Sequence, residues 1–216
     1  MMRIKTEILS GAKTGIKICG LSRPEDIDYV NEARPDLCGF VIGVTASRRN
    51  VTVTQLAKLR QRLSEQICPV GVFVNAVPEF IAELLNDGVI DAAQLHGSED
   101  EVYIARLRAM TEKPLIKAFS VKSLTDLEKA ERSSADLVLL DHGKGGTGES
   151  FDWELLRHWK NRPYILAGGL SADNIAEAVR KYRPYAVDLS SSVETEGKKD
   201  REKILAAVAA VRSIAI

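Results

Sequence analysis

The sequence is poor in cysteine, and no spacing between its cysteines would build a covalent or metal-bound framework. The three cysteines are Cys19, Cys38 and Cys68, an odd number with no C-x-x-C pair among them. This argues against a disulfide framework and against a structural zinc site. We therefore expect a reducing, cytoplasmic compartment, and we interpret Cys38 and Cys68 as packing residues.

Neither sign of charge is in excess. The chain has 30 lysines and arginines against 30 aspartates and glutamates, so its formal net charge is zero. Proteins that bind nucleic acid or an anionic membrane surface generally need a basic field. The balance argues against both, and we expect neither nucleic acid nor a membrane among the partners of this chain.

Long hydrophobic runs are missing as well. No segment approaches the ~18 uninterrupted apolar residues of a membrane-spanning helix, and the charged N-terminal segment contains no apolar core of signal-peptide length. With 45% hydrophobic and 28% charged residues, the composition is that of an ordinary soluble globular protein.

The sequence does contain a regular alternation of short apolar runs with amphipathic segments of helical length. The eight runs are 15–20 (GIKICG), 37–43 (LCGFVIG), 69–74 (PVGVFV), 92–96 (AAQLH), 114–120 (PLIKAFS), 136–141 (DLVLLD), 164–168 (YILAG) and 186–190 (AVDLS). Each unit takes about 25 residues, enough for one strand and one crossover helix. The pattern predicts an α/β fold, a single-domain (β/α)₈ TIM barrel over residues 15–216, with residues 1–14 as an N-terminal extension. An open doubly wound sheet is the rival; it fits fewer strands, and its dinucleotide fingerprint is missing.

Several local signals mark the helices between these runs. Segments 22–25 (SRPE) and 123–126 (SLTD) place a carboxylate three residues after a hydroxyl, the pattern of a capping box. Apolar stripes at helical spacing predict two further helices, through Ile175, Ala178, Val179 and Tyr182 and through Ile204, Val208 and Val211. We place Trp153 and Trp159 in the sixth helix as packing residues.

Two reactive residues stand at predicted strand ends, where the active site of a barrel forms. Cys19 closes the first strand near a predicted helix start, where a thiol can have a lowered pKa and act as a base or nucleophile. Its alternative is a small buried apolar residue. Asp141 ends the very apolar sixth strand, where partial burial would raise its pKa and suit it to donate a proton. Its alternative is a turn residue.

The segment 143–150 (GKGGTGES) follows Asp141 and nearly matches the nucleotide-binding P-loop. Glu149 occupies the position of the lysine in that motif, and a carboxylate there would repel a phosphate. We therefore favour a flexible loop over the barrel mouth and give nucleotide hydrolysis little weight.

The last two strands lead into a candidate phosphate site. Gly168 and Gly169 follow the seventh strand, and Ser190 and Ser191 follow the eighth. Glycines let backbone N–H groups approach a ligand closely, and the loops after strands seven and eight form the usual phosphate site of barrels. The alternative is a pair of ordinary tight turns.

Four polar residues complete the set of candidates at strand ends: Arg49, Gln94, His96 and Asp188. A guanidinium such as Arg49 can bind a carboxylate in bidentate fashion, although a single loop arginine is more often a solvated surface charge. A lone histidine at a strand end is as often a satisfied hydrogen-bonding group as a catalyst. No cluster has metal-ligand spacing, so we expect no metal.

Taken together, these residues resemble the phosphoribosylanthranilate isomerase family, a barrel of tryptophan biosynthesis. The matching segments are 17–26 (KICGLSRPED), 39–52, 70–75 (VGVFVN), 94–99 (QLHGSE), 139–153 (LLDHGKGGTGESFDW), 165–175 (ILAGGLSADNI) and 187–200. They cover nearly the whole chain except residues 1–14. Each segment alone would be weak, whereas KICG together with GGTG-x-x-FDW and LAGGL is specific.

The resemblance implies the Amadori rearrangement of N-(5-phosphoribosyl)anthranilate to 1-(2-carboxyphenylamino)-1-deoxyribulose 5-phosphate, without a cofactor. The general base of the family falls on Cys19 and its general acid on Asp141. The remaining roles fall on Arg49 for the anthranilate carboxylate, Asp188 near the ribose, and Gly168, Gly169, Ser190 and Ser191 for the phosphate. We add Gln94 and His96 as substrate-binding candidates. The expected partner is a phosphorylated sugar–anthranilate substrate, and the chain is expected to be a monomer or a homodimer.

The resemblance leaves some alternatives open. The family often has Ser-Pro-Arg at 47–49, where this chain has Ser-Arg-Arg, so Arg48 competes with Arg49 for the carboxylate. The histidine-pathway isomerase performs the same rearrangement with two aspartates, and Cys19 argues against it. An indole-forming lyase barrel needs a lysine acid, and Lys17 and Lys117 lie within strands rather than clearly at their ends. A barrel that only binds phosphate, without catalysis, would need neither Cys19 nor Asp141.

Overall fold

The eight apolar runs form eight parallel strands in the computed structural model, which describes residues 13–141, 152–160 and 162–214. The strands are Gly15–Cys19 (β1), Leu37–Ile42 (β2), Cys68–Phe73 (β3), Ala92–Leu95 (β4), Leu115–Ser120 (β5), Leu137–Asp141 (β6), Tyr164–Leu166 (β7) and Ala186–Leu189 (β8). Each strand pairs with the next one along the chain, and β1 pairs with both β2 and β8, so the ring closes. The predicted (β/α)₈ barrel is confirmed, and the open sheet is excluded.

Helices connect most of these strands on the outside of the ring. They are Pro24–Ala33 (α1), Val53–Arg62 (α2), Pro78–Asn86 (α3), Glu101–Arg108 (α4), Leu124–Glu131 (α5), Ile175–Tyr182 (α6) and Arg201–Arg212 (α7). A two-residue strand at Asn50–Val51 extends the sheet beside β2, and a small hairpin, Glu194–Thr195 with Lys198–Lys199, precedes α7. Among the described residues, no helix is both long and apolar enough to cross a membrane.

The prediction of a sixth α-helix around the two tryptophans is wrong. The segment Trp153–His158 is a 3₁₀ helix instead. The residue after this helix, Trp159, donates its indole N–H to the carbonyl of Arg162 at 2.7 Å. Pro163 follows and leads directly into β7. A longer helix therefore does not fit between Asp152 and β7. The packing role of both side chains is confirmed, since Trp153 lies edge-on to Tyr182 and Trp159 lies against Tyr164.

The strands alternate between two buried layers. On β1, Ile16 and Ile18 belong to the larger apolar core that packs under the helices, and Lys17 and Cys19 point the other way, into the barrel. The barrel interior holds a second apolar cluster: Leu37, Cys68, Val70, Ala92, Ile116, Leu137, Leu139, Ile165, Ala167 and Ala186. Cys38 and Cys68 are buried in these cores, as predicted for packing residues.

The start of α1 differs from the predicted capping box. The helix begins at Pro24 with Arg23 as its N-cap, because proline lacks an N–H and suits the first helical position. The capping carboxylate belongs to Asp26 rather than Glu25, and it accepts from the backbone N–H groups of Ser22 and Arg23 at 2.9 and 3.0 Å. The Arg23 guanidinium also binds it.

The second predicted box, at Ser123 and Asp126, is confirmed. The two apolar stripes are confirmed as well. Their residues are buried in α6 and α7, except for Tyr182, which is half-buried.

We expect the Asp26→Ala variant to lose about 1–3 kcal/mol of unfolding free energy, because two partly buried N–H donors and a guanidinium would lose their acceptor. Asp28 on the same helix is a matched control: it pairs with Arg62, but both side chains are about half exposed, at 55% and 52%. Such surface pairs contribute about 0–1 kcal/mol. Urea denaturation of both variants checks this, and equal losses would contradict the capping role of Asp26.

The predicted extension, residues 1–14, lies mostly outside the described residues, which begin at Lys13. Thr14 is buried and donates its hydroxyl to the carbonyl of Pro184 at 3.0 Å. The last residues before β1 are therefore attached to the barrel, and the division into extension and barrel stays a prediction.

Candidate active site

The carboxyl ends of the parallel strands surround a cavity of about 420 Å³. Because parallel strands in a closed ring all end at the same rim, residues far apart in the sequence meet there. The predicted site residues all line this one cavity: Cys19, Arg49, Gln94, His96, Asp141, Gly168, Gly169, Asp188, Ser190 and Ser191.

Cys19 ends β1 and is buried, with 8% of its surface exposed. Burial raises the pKa of its thiol, and the nearby Lys17 ammonium opposes this rise without cancelling it. The expectation of a lowered pKa from the helix start is therefore wrong. The thiol lies in the water-poor barrel interior, and removal from water has the larger effect.

Lys17 contacts two of the cavity residues from inside the barrel, and sequence reasoning missed this role, because a lysine within a strand is not expected at the rim. Its side chain is fully buried, and its Nζ donates to Asp188 Oδ2 at 2.9 Å. Burial alone would lower the pKa of Lys17, but the charges of Asp188 and Cys19 outweigh this effect and raise it. The spacing does indicate this neighbourhood, because residues two apart on a strand, such as Lys17 and Cys19, point to the same face.

His96 and Gln94 form a polar pair at the end of β4. Gln94 Nε2 lies 2.9 Å from His96 Nδ1. Burial, together with the charges of Lys17 and Lys117, lowers the pKa of His96 to about 4, so the ring is neutral at physiological pH. Since the amide NH₂ of Gln94 can only donate, Nδ1 accepts and Nε2 carries the proton. Nε2 lies 3.9 Å from Asp141 Oδ2.

Arg49 crosses the end of β1 and is held by Glu194, a residue that sequence reasoning also missed. Its Nε and Nη2 donate to the two carboxylate oxygens of Glu194 at 2.7 and 2.9 Å. Gly20 permits this crossing, because its φ of +85° suits glycine and a Cβ there would clash with the Arg49 side chain. Glu194 lies in the matching segment 187–200, but no motif in that segment assigned it a role.

Two further cations converge on Glu194. Arg48 Nη2 donates to Glu194 Oε2 at 2.6 Å, and Lys199 Nζ donates to Oε1 at 2.7 Å. Burial would raise the pKa of Glu194, but Arg49 and Lys199 lower it to about 2. The two arginines differ in exposure: the Arg48 side chain is 59% exposed and that of Arg49 is 15% exposed. Arg49, and not Arg48, lines the cavity.

The turns after β7 and β8 also line the cavity, next to the end of β1. Gly168 and Gly169 have φ values of +80° and +68°, conformations that favour glycine. Asn174 stabilises this turn by accepting from the Ser171 N–H and donating to the Gly169 carbonyl, both at 2.8 Å. After β8, Ser190 donates its hydroxyl to the carbonyl of Cys19 at 3.1 Å, which ties this turn to β1.

The glycine-rich segment 143–150 lies outside the described residues. The prediction that it forms a loop over the barrel mouth stays a prediction. Within residues 13–141, 152–160 and 162–214, no group of three or more histidine, cysteine, aspartate or glutamate side chains is placed to hold a metal ion.

Comparison with known proteins assigns this barrel to a family. The family model described as N-(5'-phosphoribosyl)anthranilate (PRA) isomerase matches residues 16–210. The chain belongs to this family. A PRA isomerase of Endomicrobium trichonymphae is 47% identical over 203 residues, covering 92% of this chain and 98% of the relative. One of Caldanaerobacter subterraneus is 41% identical over 204 residues, covering 92% and 98%.

Solved PRA isomerases have the same fold. The crystal structure of the Thermus thermophilus protein matches with a TM-score of 0.82 and 32% identity, covering 93% of this chain and 99% of that one. A second match is a PRA isomerase in complex with reduced 1-(o-carboxyphenylamino)-1-deoxyribulose 5-phosphate; its TM-score is 0.79 at 30% identity, with 93% and 100% covered. The chain is an isomerase of this family, as its sequence predicted.

Proposed function

We propose that Cys19 is the general base and Asp141 the general acid of the Amadori rearrangement that PRA isomerases carry out, with the barrel-mouth cavity as the substrate site. One observation carries this assignment. Both side chains are buried at the carboxyl ends of their strands, β1 and β6, and line the same cavity as every predicted binding residue.

The proposed reaction begins at the sugar ring. Asp141 protonates the furanose ring oxygen, the C1–O bond breaks, and the open chain is a Schiff base between C1 and the anthranilate nitrogen. Cys19, as thiolate, then removes the proton from C2 and gives an enolamine, which tautomerises to the ketone. The substrate nitrogen accepts the electron pair, so the proposal needs no cofactor.

Buried acceptors in the cavity support the binding of a hydroxyl-rich substrate. Gln94 Oε1 and Asp188 Oδ1 are buried and find no hydrogen-bond donor among the described residues. A buried oxygen without a donor costs about 1–3 kcal/mol. Sugar hydroxyl groups would supply these donors, which supports the placement of Asp188 near the ribose. We place the phosphate between the Gly168–Gly169 turn and Ser190 and Ser191, at the ends of β7 and β8.

We expect the Arg49→Ala variant to raise KM about 10–100-fold with a smaller effect on kcat, because the charged hydrogen bonds to the anthranilate carboxylate would be lost. The matched control is Arg48→Ala, which removes the neighbouring, mostly exposed guanidinium. Steady-state kinetics with freshly generated PRA, whose anthranilate fluorescence falls as product forms, measure both. A larger KM effect for Arg48→Ala would transfer the carboxylate role to that residue.

We further propose a cytoplasmic location and a monomeric or homodimeric state. The three cysteines are unpaired thiols, which suits a reducing compartment. A structural relative from Thermotoga maritima is described as dimeric. Light scattering of the purified chain would decide between one and two copies.

A further inference from the structure

Lys17 shares a confined space with the proposed base. Its Nζ and the Cys19 Sγ both lie over Gly39 of the neighbouring strand β2, where an added Cβ would come within 3.1 Å of Nζ and 2.6 Å of Sγ. Cys19 and Gly39 are directly paired in the β1–β2 ladder. The absence of a side chain at position 39 therefore lets the ammonium and the sulfur approach each other inside the barrel.

Cys19 must become a thiolate to act as a base, and a buried anion without a counter-charge is costly. The ionisable groups that act on Cys19 come from several elements: Lys17 on its own strand, Cys38 on β2, Arg49 after β2, Asp188 on β8 and Lys199 after β8. A cation close to the sulfur has to offset the cost of burial.

The three cations, Lys17, Arg49 and Lys199, each pair with a carboxylate, and they differ in how they act on the sulfur. Arg49 and Lys199 both bind Glu194 at 2.7 Å, so much of their charge is compensated there. Lys17 is in a different position: it lies between Asp188 and Cys19, fully buried, and acts on both. Asp188 keeps Lys17 protonated where burial would otherwise favour the neutral amine.

We propose that Lys17 is a positioning residue that supplies the positive charge beside Cys19 and so allows this thiol to lose its proton, while Asp188 holds Lys17 in its charged form. The inference rests on the proposed role of Cys19 as general base. Lys17 transfers no proton itself. It acts through the sulfur, and its effect must therefore be visible in the titration of Cys19.

The test compares two substitutions that break the same ion pair, Lys17→Met and Asp188→Asn. We expect Lys17→Met to raise the Cys19 pKa by about 1–3 units, the usual effect of losing an opposite charge within a few ångströms. The acid limb of kcat/KM should move to higher pH by the same amount. We expect Asp188→Asn to raise the Cys19 pKa as well, because Lys17 would lose the carboxylate that keeps it protonated. The rise should be smaller than in Lys17→Met, because the substitution also removes an anion near the sulfur. A pair with a purely structural role would leave the Cys19 pKa unchanged in both variants.

Two measurements distinguish a wrong role for Lys17 from a wrong role for Cys19. The first is the pH dependence of Cys19 alkylation by iodoacetamide, followed on its peptide by mass spectrometry. The second is the pH profile of kcat/KM. An unchanged alkylation profile in Lys17→Met would overturn the role of Lys17. A shifted alkylation profile with an unchanged kcat/KM profile would instead overturn Cys19 as the base.

Two further variants distinguish an electrostatic effect of Lys17→Met from a loss of stability. Lys117 is another buried lysine of the barrel, 2.8 Å from Glu99, and it is not among the groups that act on Cys19. Lys117→Met should therefore destabilise the fold without moving the Cys19 titration. If Lys17→Met does not fold, Lys17→Met/Asp188→Asn removes both charges. It should still raise the Cys19 pKa, by less than the single variant would, and a lowered value would contradict the proposal.

Discussion

Replacing Cys19 with alanine is expected to lower kcat at least about 100-fold, because the base that removes the C2 proton would be lost. The cavity would lose only a sulfur at the end of β1, so ligand affinity should change little. Fluorescence titration with reduced 1-(o-carboxyphenylamino)-1-deoxyribulose 5-phosphate measures binding, and turnover of fresh PRA measures catalysis.

The matched control for this variant is Cys68→Ala. Cys68 is also a buried cysteine of the barrel interior, but it begins β3, at the end of the barrel away from the cavity. The Cys68→Ala variant should be less stable than the wild type but keep kcat within about threefold of the wild-type value, as expected for a residue at the amino-terminal face of a barrel. Unchanged turnover in Cys19→Ala would refute the assignment of the base.

The Asp141→Asn variant is expected to lower kcat by about 10²–10⁴-fold, since an amide of the same shape cannot donate the proton that opens the sugar ring. Binding of the reduced product analogue should persist, because that ligand is already ring-opened. The loss should therefore appear in kcat rather than in the affinity for the analogue.

Asp136→Asn is the control that isolates position from residue type. Asp136 precedes β6 at the opposite end from Asp141, is partly exposed and pairs with Arg108. Its replacement should leave kcat unchanged within about threefold, as expected for a residue far from the carboxyl ends. Equal losses in the two variants would show that Asp141 acts through stability instead of proton transfer.

Most of the fold was predictable from local patterns. Each apolar run became a strand, with ends within two residues of the prediction, because buried parallel strands require continuous apolar segments. The sixth helix was the main error. Its sequence contains helix-forming residues, but the contacts of Trp159 and the following proline shorten it to a 3₁₀ segment.

The location of the candidate site was predictable for a related reason. In a closed parallel barrel, the end of each strand is also a position on the rim, so the strand pattern alone assigns Cys19, Asp141 and Asp188 to one cavity. The roles of Lys17 and Glu194 were not predictable in this way. Neither stands in a motif whose chemistry is evident without its partners.

The number and order of the strands, the closed ring and the rim that carries the reactive residues were all predictable from the pattern of apolar runs. The pairing of the buried charges, in contrast, depends on the folded chain. Lys17 pairs with Asp188 across 171 residues, and Arg49 pairs with Glu194 across 145. The physical reason is that strand formation follows short-range hydrophobic periodicity, whereas the protonation of Cys19 depends on burial and on charges from distant strands.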